Sequence, residues 1–162
     1  MELKKIITQI QKWDFSKFEF PKIDFSSISL PGVKMPPLRI GNLTARIPVV
    51  QGGMGVGISL SGLASAVARS GGIGVIAANA IGMIEPDYFK NGVEANKRAL
   101  RKEIRKAKSE SNNGIIGVNI MVALNDFKEM IDVAVEEKAD LLFLGAGLPL
   151  KGIPVEKIRK AG

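Results

Sequence analysis

The residues best placed to do chemistry lie in Ile47-Pro-Val-Val-Gln-Gly-Gly-Met-Gly-Val-Gly57. Gly52, Gly53, Gly55 and Gly57 strip the side chains from a loop that directly follows an apolar, β-branched strand at Ile47–Gln51. Such a loop lets backbone N–H groups approach a flat or anionic ligand closely. A tight strand-to-helix turn with close packing would explain the same glycines. The spacing is not that of a dinucleotide-binding turn, and no acidic residue stands at the tip of the next strand. No Gly-Lys-Ser/Thr closes the loop, which excludes a P-loop. Ser59 or Ser61 could cap the helix that runs through Leu63–Arg69.

Missing residue types narrow the chemistry further. The 162-residue chain has no Cys and no His. Disulfides, thiolate metal sites, Cys nucleophiles and Ser-His-Asp triads are therefore excluded. The commonest general base and metal ligand is absent with them. Net charge is +7, which raises nucleic acid or an anionic membrane as partners. The cations are interleaved with acids, as along Lys97–Lys108, and that spacing marks the solvated face of a helix. Nucleic acid is thus not an expected partner. No apolar run approaches the roughly 20 residues that span a bilayer. No signal-peptide core precedes the fold, so a cytoplasmic location is expected.

The elements that must position the loop divide at about residue 37. In residues 1–37, Leu3, Ile6, Ile7, Ile10 and Trp13 recur at helical spacing, which predicts an amphipathic helix over Glu2–Trp13. An arm rich in Phe and Pro follows, with Phe15, Phe18, Phe20 and Phe25 punctuated by Pro21, Pro31, Pro36 and Pro37. It reads as a segment that packs its aromatics over the domain or a neighbouring subunit. Attachment to a membrane surface through residues 1–13 is a weaker alternative.

Residues 38–162 read as one α/β domain. Leu38–Ile47 is a hairpin around Gly41-Asn42. Strands are then predicted at Ile47–Gln51, Gly71–Asn79, Ile115–Met121 and Asp140–Gly145. Helices are predicted at Leu63–Arg69, about Gly92–Ser109 with Val93, Leu100, Ile104 and Ala107 inward, Asp126–Glu137 with Met130, Ile131, Ala134 and Val135 inward, and Pro154–Ala161. Turns fall at Glu85-Pro-Asp87 and Asn112-Asn-Gly114. Buried strands alternating with helices are the pattern of parallel βα units. In (β/α) barrels the C-terminal strand ends form the ligand face. The Gly-rich loop, Ala78-Asn79, Asn119–Met121 and Gly145-Ala-Gly147 should therefore converge on one site. Four units are half the eight of a complete barrel of about 250 residues. The expectation is half a TIM barrel with an N-terminal arm. Its open strand edges call for self-association or a complementing C-terminal half.

Four motifs in order carry a resemblance: Pro48-Val-Val-Gln-Gly-Gly-Met-Gly, Gly71-Gly-Ile-Gly-Val-Ile, Gly117-Val-Asn-Ile-Met-Val122 and Gly145-Ala-Gly-Leu-Pro149. Across residues 36–155 the chain resembles the N-terminal half of nitronate monooxygenases, whose sister group is the flavin-dependent enoyl-acyl-carrier-protein reductases. The resemblance implies a TIM barrel that binds FMN and oxidises alkyl nitronates with O2. It implies that Gly52, Gly53 and Met54 lie by the isoalloxazine ring through their backbone. It also implies that Asn119 contacts the flavin, and that Gln51, Ala78, Gly145, Ala146 and Gly147 line the same pocket. Asn119 as a local loop cap, and Met54 and Met121 as core filler, are the alternatives. The family's catalytic His and the phosphate-holding loops of strands seven and eight have no counterpart in this chain, so no residue is assigned as catalytic. An enoyl-acyl-carrier-protein reductase half and a non-catalytic interaction module are the alternative functions.

Overall fold

The computed structural model describes residues 35–147 and 152–161. Of the helix and aromatic arm expected over residues 1–37, residues 1–34 lie outside the described residues, as do residues 148–151 and 162. Strands β1 (Leu38–Ile40) and β2 (Leu43–Ala45) form the expected antiparallel hairpin, with Arg39 opposite Thr44. Gly41 takes φ +55° at the turn, a conformation that glycine adopts without a Cβ penalty.

A parallel sheet follows, built from β3 (Ile73–Ala77), β4 (Ile115–Met121) and β5 (Leu141–Gly145) in the order β3-β4-β5. The helices are α1 (Ser61–Arg69), α2 (Gly92–Glu110), α3 (Phe127–Glu136) and α4 (Val155–Ala161). A 3-10 turn at Ile81–Ile84 leads from β3 towards α2. The described chain is thus a mixed α/β domain with a three-stranded parallel sheet and four helices.

The first expected strand differs. Ile47–Gln51 lies beside β3, but it forms a single parallel bridge, Val50 to Ile73, rather than a strand. Its Ile47 and Gln51 N–H groups donate to Gly71 O at 2.9 Å and Ile73 O at 3.0 Å, and Ile73 N–H donates to Val49 O at 2.9 Å. Pro48 has no N–H, and Val49 N–H turns back to Ile47 O at 2.7 Å. Beyond residue 51 a side chain replaces the backbone ladder. Gln51 Nε2 donates to Val75 O at 2.9 Å, and Val75 N–H donates to Gln51 Oε1 at 3.2 Å. A primary amide offers one donor and one acceptor as a peptide group does, so the main chain can leave the sheet one residue early.

Strand β3 is buried throughout and β4 at most positions, as parallel strands covered on both faces are, whereas β5 is half-buried along its length. Ile76, Ala78, Ile116, Val118, Ile120, Leu142 and Leu144 face the helices with Ala64, Leu100, Ile104 and Ile131. Ala45, Ile73 and Val75 form the opposite core with Leu38, Ile115, Leu141 and Phe143. The hairpin therefore covers this second face. Helix α1 approaches β3 backbone to backbone, since a Cβ on Gly74 would lie 1.9 Å from Ala64 O.

Two details of the helices depart from expectation. Val93 is exposed, and the inward stripe of α2 is Ala95, Asn96, Ala99, Leu100, Glu103, Ile104 and Ala107. Neither Ser59 nor Ser61 caps α1, whose N-cap is Leu60. The Ser61 N–H instead donates to the buried Glu103 carboxylate at 2.8 Å. A carboxylate at a helix N-terminus satisfies an orphan donor and complements the helix dipole.

Helix α2 is clamped to the C-terminal end of α3 by ion pairs. Arg105 grips Glu137 with both forks, each at 2.7 Å, and Arg101 reaches Glu136 at 2.6 Å and Glu137 at 3.2 Å. The hydrogen bond from Arg105 holds the Glu137 carboxyl below its usual range. No described helix is long and apolar enough to cross a membrane.

Candidate functional site

Parallel strands end at one edge. The pairings Ala77–Asn119, Asn119–Phe143 and Met121–Gly145 fix the register there. The Gly-rich loop crosses this edge after Gln51. A Cβ on Gly53 would lie 2.6 Å from Asn119 Cβ and 2.9 Å from its Oδ1, so the loop backbone rests directly on Asn119. A Cβ on Gly55 would lie 2.9 Å from Asn79 Nδ2, and the Val56 N–H donates to Asn79 O at 3.1 Å. The loop is thus seated on the ends of β3 and β4. This close approach requires glycine at 53 and 55.

Asn119 is anchored and still presents a free acceptor. Its Nδ2 donates to Phe143 O at 3.2 Å, and its backbone O accepts from Ala78 N–H at 2.9 Å. Its Oδ1 accepts no hydrogen bond among the described residues. The side chain spans β4 and β5 and does not cap a local turn.

The other expected site residues fall into two groups. Gly52, Gly53 and Met54 lie in the loop, and Met54 is 63 % exposed, so it is not core filler. Gly145 ends β5 opposite Met121 with open space where a Cβ would stand, while Gly147 abuts Val122. Ala146, between them, has φ +55°. Gln51 and Ala78 act from below the edge. The Gln51 amide is engaged with Val75, and the Ala78 side chain is 2 % exposed within the helix-facing core.

Three of the six left-handed non-glycine residues among the described residues lie at this edge, while Asn112, Asn113 and Lys138 lie in the turns before β4 and β5. Val56, Ala80 and Ala146 all have φ between 51° and 55°, and each follows a different strand or the bridge segment. Left-handed non-glycine residues, above all a β-branched one, are uncommon and concentrate at functional sites. The strand ends and the Gly-rich loop themselves carry no charged side chain, and Asp126, which lies beside Asn79 and Met121, accepts from Asn96 Nδ2 at 2.7 Å. No Asp, Glu, Lys or Arg occurs in residues 47–68, 70–84, 114–125 or 141–147. No group of acidic residues that could hold a metal ion occurs among the described residues.

Ser59 is a site residue that sequence reasoning assigned to helix capping. It is 1 % exposed. Its hydroxyl accepts the Met54 N–H at 3.0 Å and donates to Gly52 O at 3.3 Å. Its N–H donates to Met54 O at 2.9 Å, and its own O accepts from Ala77 N–H at 3.0 Å. The sequence signal was a Ser between apolar residues just after a Gly-rich run, a pattern shared by helix caps and loop clamps.

The arrangement is a platform of loop backbone and side-chain amides. It offers loop N–H groups and one amide oxygen, and Gly52, Gly53 and Gly55 N–H have no protein partner among the described residues. That donor and acceptor set suits the edge of a flat heteroaromatic ring. No curated protein matches the chain. A family model described as Nitronate monooxygenase matches residues 37–149, which take in the hairpin, the Gly-rich loop and the whole parallel sheet. With well over half of its length under that model, and with loop and Asn119 meeting at the strand ends, the chain belongs to the nitronate monooxygenase family, a family of flavin-dependent oxidoreductases.

Proposed function

We propose that this chain supplies the ring-binding face of an FMN-dependent oxidoreductase that oxidises alkyl nitronates with O2 to a carbonyl compound and nitrite. The observation that carries this reading is the seating of Gly53 on Asn119 at the strand ends. The residues present suit the ring portion of the cofactor. Gly53 allows backbone contact at van der Waals distance, and Asn119 Oδ1 stands open to accept an N–H. The bound flavin would supply the electron chemistry. The protein's part is to orient the ring and to keep its face dry. A nitronate arrives with its carbon already deprotonated, so this reaction asks the loops for positioning rather than for a general base.

The β3, β4 and β5 units with their helices read as consecutive units of a TIM barrel, with Ile47–Gln51 in the place of its first strand. FMN titration of the purified protein, followed by flavin absorbance and fluorescence quenching, tests the reading. Saturable, stoichiometric binding and nitrite release from a nitronate without any nicotinamide are expected. A requirement for NADH or NADPH would indicate the enoyl reductase chemistry instead. No binding in any oligomeric state of the protein would reject the flavin assignment.

A further inference from the structure

Ser59 takes up every polar backbone group of Met54 and the carbonyl of Gly52, and it is itself tied to the end of β3 through Ala77. Gly53 is thereby bracketed between two residues that a single buried side chain holds in place. The Met54 N–H is then closed to any ligand, whereas the Gly53 and Gly55 N–H groups have no protein partner among the described residues. We infer that Ser59 is a positioning residue for ligand recognition. Its hydroxyl sets the loop so that Gly53 N–H, beside the Asn119 amide, donates to the ligand in place of Met54 N–H. The identity of the ligand rests on the flavin reading above; the bracket itself does not.

Hydrogen exchange of individual amides, read by NMR, tests the inference. In the free wild-type protein Met54 N–H should be protected, while Gly53 and Gly55 exchange freely. Added FMN should shift and protect Gly53 and leave Met54 unchanged. In Ser59→Ala both hydroxyl hydrogen bonds are lost, and removal of the one that accepts the Met54 N–H should raise Met54 exchange about tenfold, with Ile116 and Val118 in β4 unchanged. The dissociation constant for FMN should rise about tenfold in the same variant. The visible band of the bound flavin should also move in Ser59→Ala and stay in place in Glu137→Ala, which weakens the fold away from the loop. An unprotected Met54 in the wild-type protein overturns the inference, and this comparison stands even if Ser59→Ala does not fold. So does Met54 exchange that is equal in the two proteins. FMN perturbing Met54 rather than Gly53 overturns the inference and leaves the flavin reading intact. Ser59-dependent protection with no response to FMN does the reverse.

Discussion

Replacing Gly53 by Ala should separate packing from ligand recognition. The new Cβ would stand 2.6 Å from Asn119 Cβ, 2.8 Å from its Cγ and 2.9 Å from its Oδ1. Relief requires a displacement of about 1 Å, because carbon atoms rest at roughly 3.5–4.0 Å. Asn119 cannot yield as a flexible tip does, since the nearest atom is its Cβ on β4 and its amide is tied to Phe143 O. The loop must lift instead, against the bonds that Ser59 makes. Overpacking of this kind costs about 1–3 kcal/mol, which in a domain of this size lowers Tm by about 2–12 °C. The control is Gly52→Ala, where a Cβ meets nothing within 4 Å. Paired thermal and urea melts should place Gly52→Ala at wild type and Gly53→Ala well below it. Flavin titration should show a loss of binding in Gly53→Ala beyond what its stability change explains. If Gly53→Ala melts with the wild type and binds FMN equally well, the loop does not rest on Asn119 and the platform fails.

Other outcomes follow from contacts elsewhere in the fold. Gly74→Ala places a Cβ 1.9 Å from Ala64 O, backbone against backbone; it should cost at least about 3 kcal/mol and show little soluble expression. Glu103→Ala removes the acceptor of the Ser61 N–H and should destabilise by about 1–3 kcal/mol in urea melts, with Glu103→Gln closer to wild type. Glu137 has its carboxyl held below the usual glutamate range, first by the hydrogen bond from Arg105. Its contribution is present above the unfolded-state pKa and is lost as pH falls through the lower folded-state value. Wild-type stability should therefore drop more steeply below about pH 4.5 than that of Glu137→Gln, and the two slopes should converge above it; parallel curves through the acid range would remove the clamp from the account.

Much of this fold was legible because its strands are largely apolar runs with a glycine at one end: Gly72 before β3, Gly114 before β4 and Gly145 at the close of β5. Ile115–Met121 and Leu141–Gly145 appear where the pattern put them, and Asn112 and Asn113 take the left-handed conformation that their turn required. The contact between Gly53 and Asn119 followed from the rule that parallel strands share a ligand-binding edge. What the sequence concealed were side chains that act in place of backbone. Ile47–Gln51 has the composition of a strand, yet its ladder is finished by the Gln51 side chain, which no periodicity reveals. Ser59 looked like a cap because caps and clamps use the same hydroxyl, and only the fold shows which N–H lies within reach. The N-terminus of α1 is served by Glu103, a distant residue on α2 whose position in a run of charges suggested solvent. Val93 fitted a helical stripe, but it stands in the first turn of α2 and remains exposed.

The joint between Gln51 and Val75 has a chemical consequence of its own. Val75 presents both a donor and an acceptor to residue 51, and an uncharged primary amide answers both at once. A glutamate of the same length would meet Val75 O with a second oxygen unless it carried a proton. The exchange of a single atom, nitrogen for oxygen, would therefore turn the root of the Gly-rich loop into a hinge that closes in acid and opens near neutrality. The wild-type amide does not titrate, so this joint has no protonation state to lose.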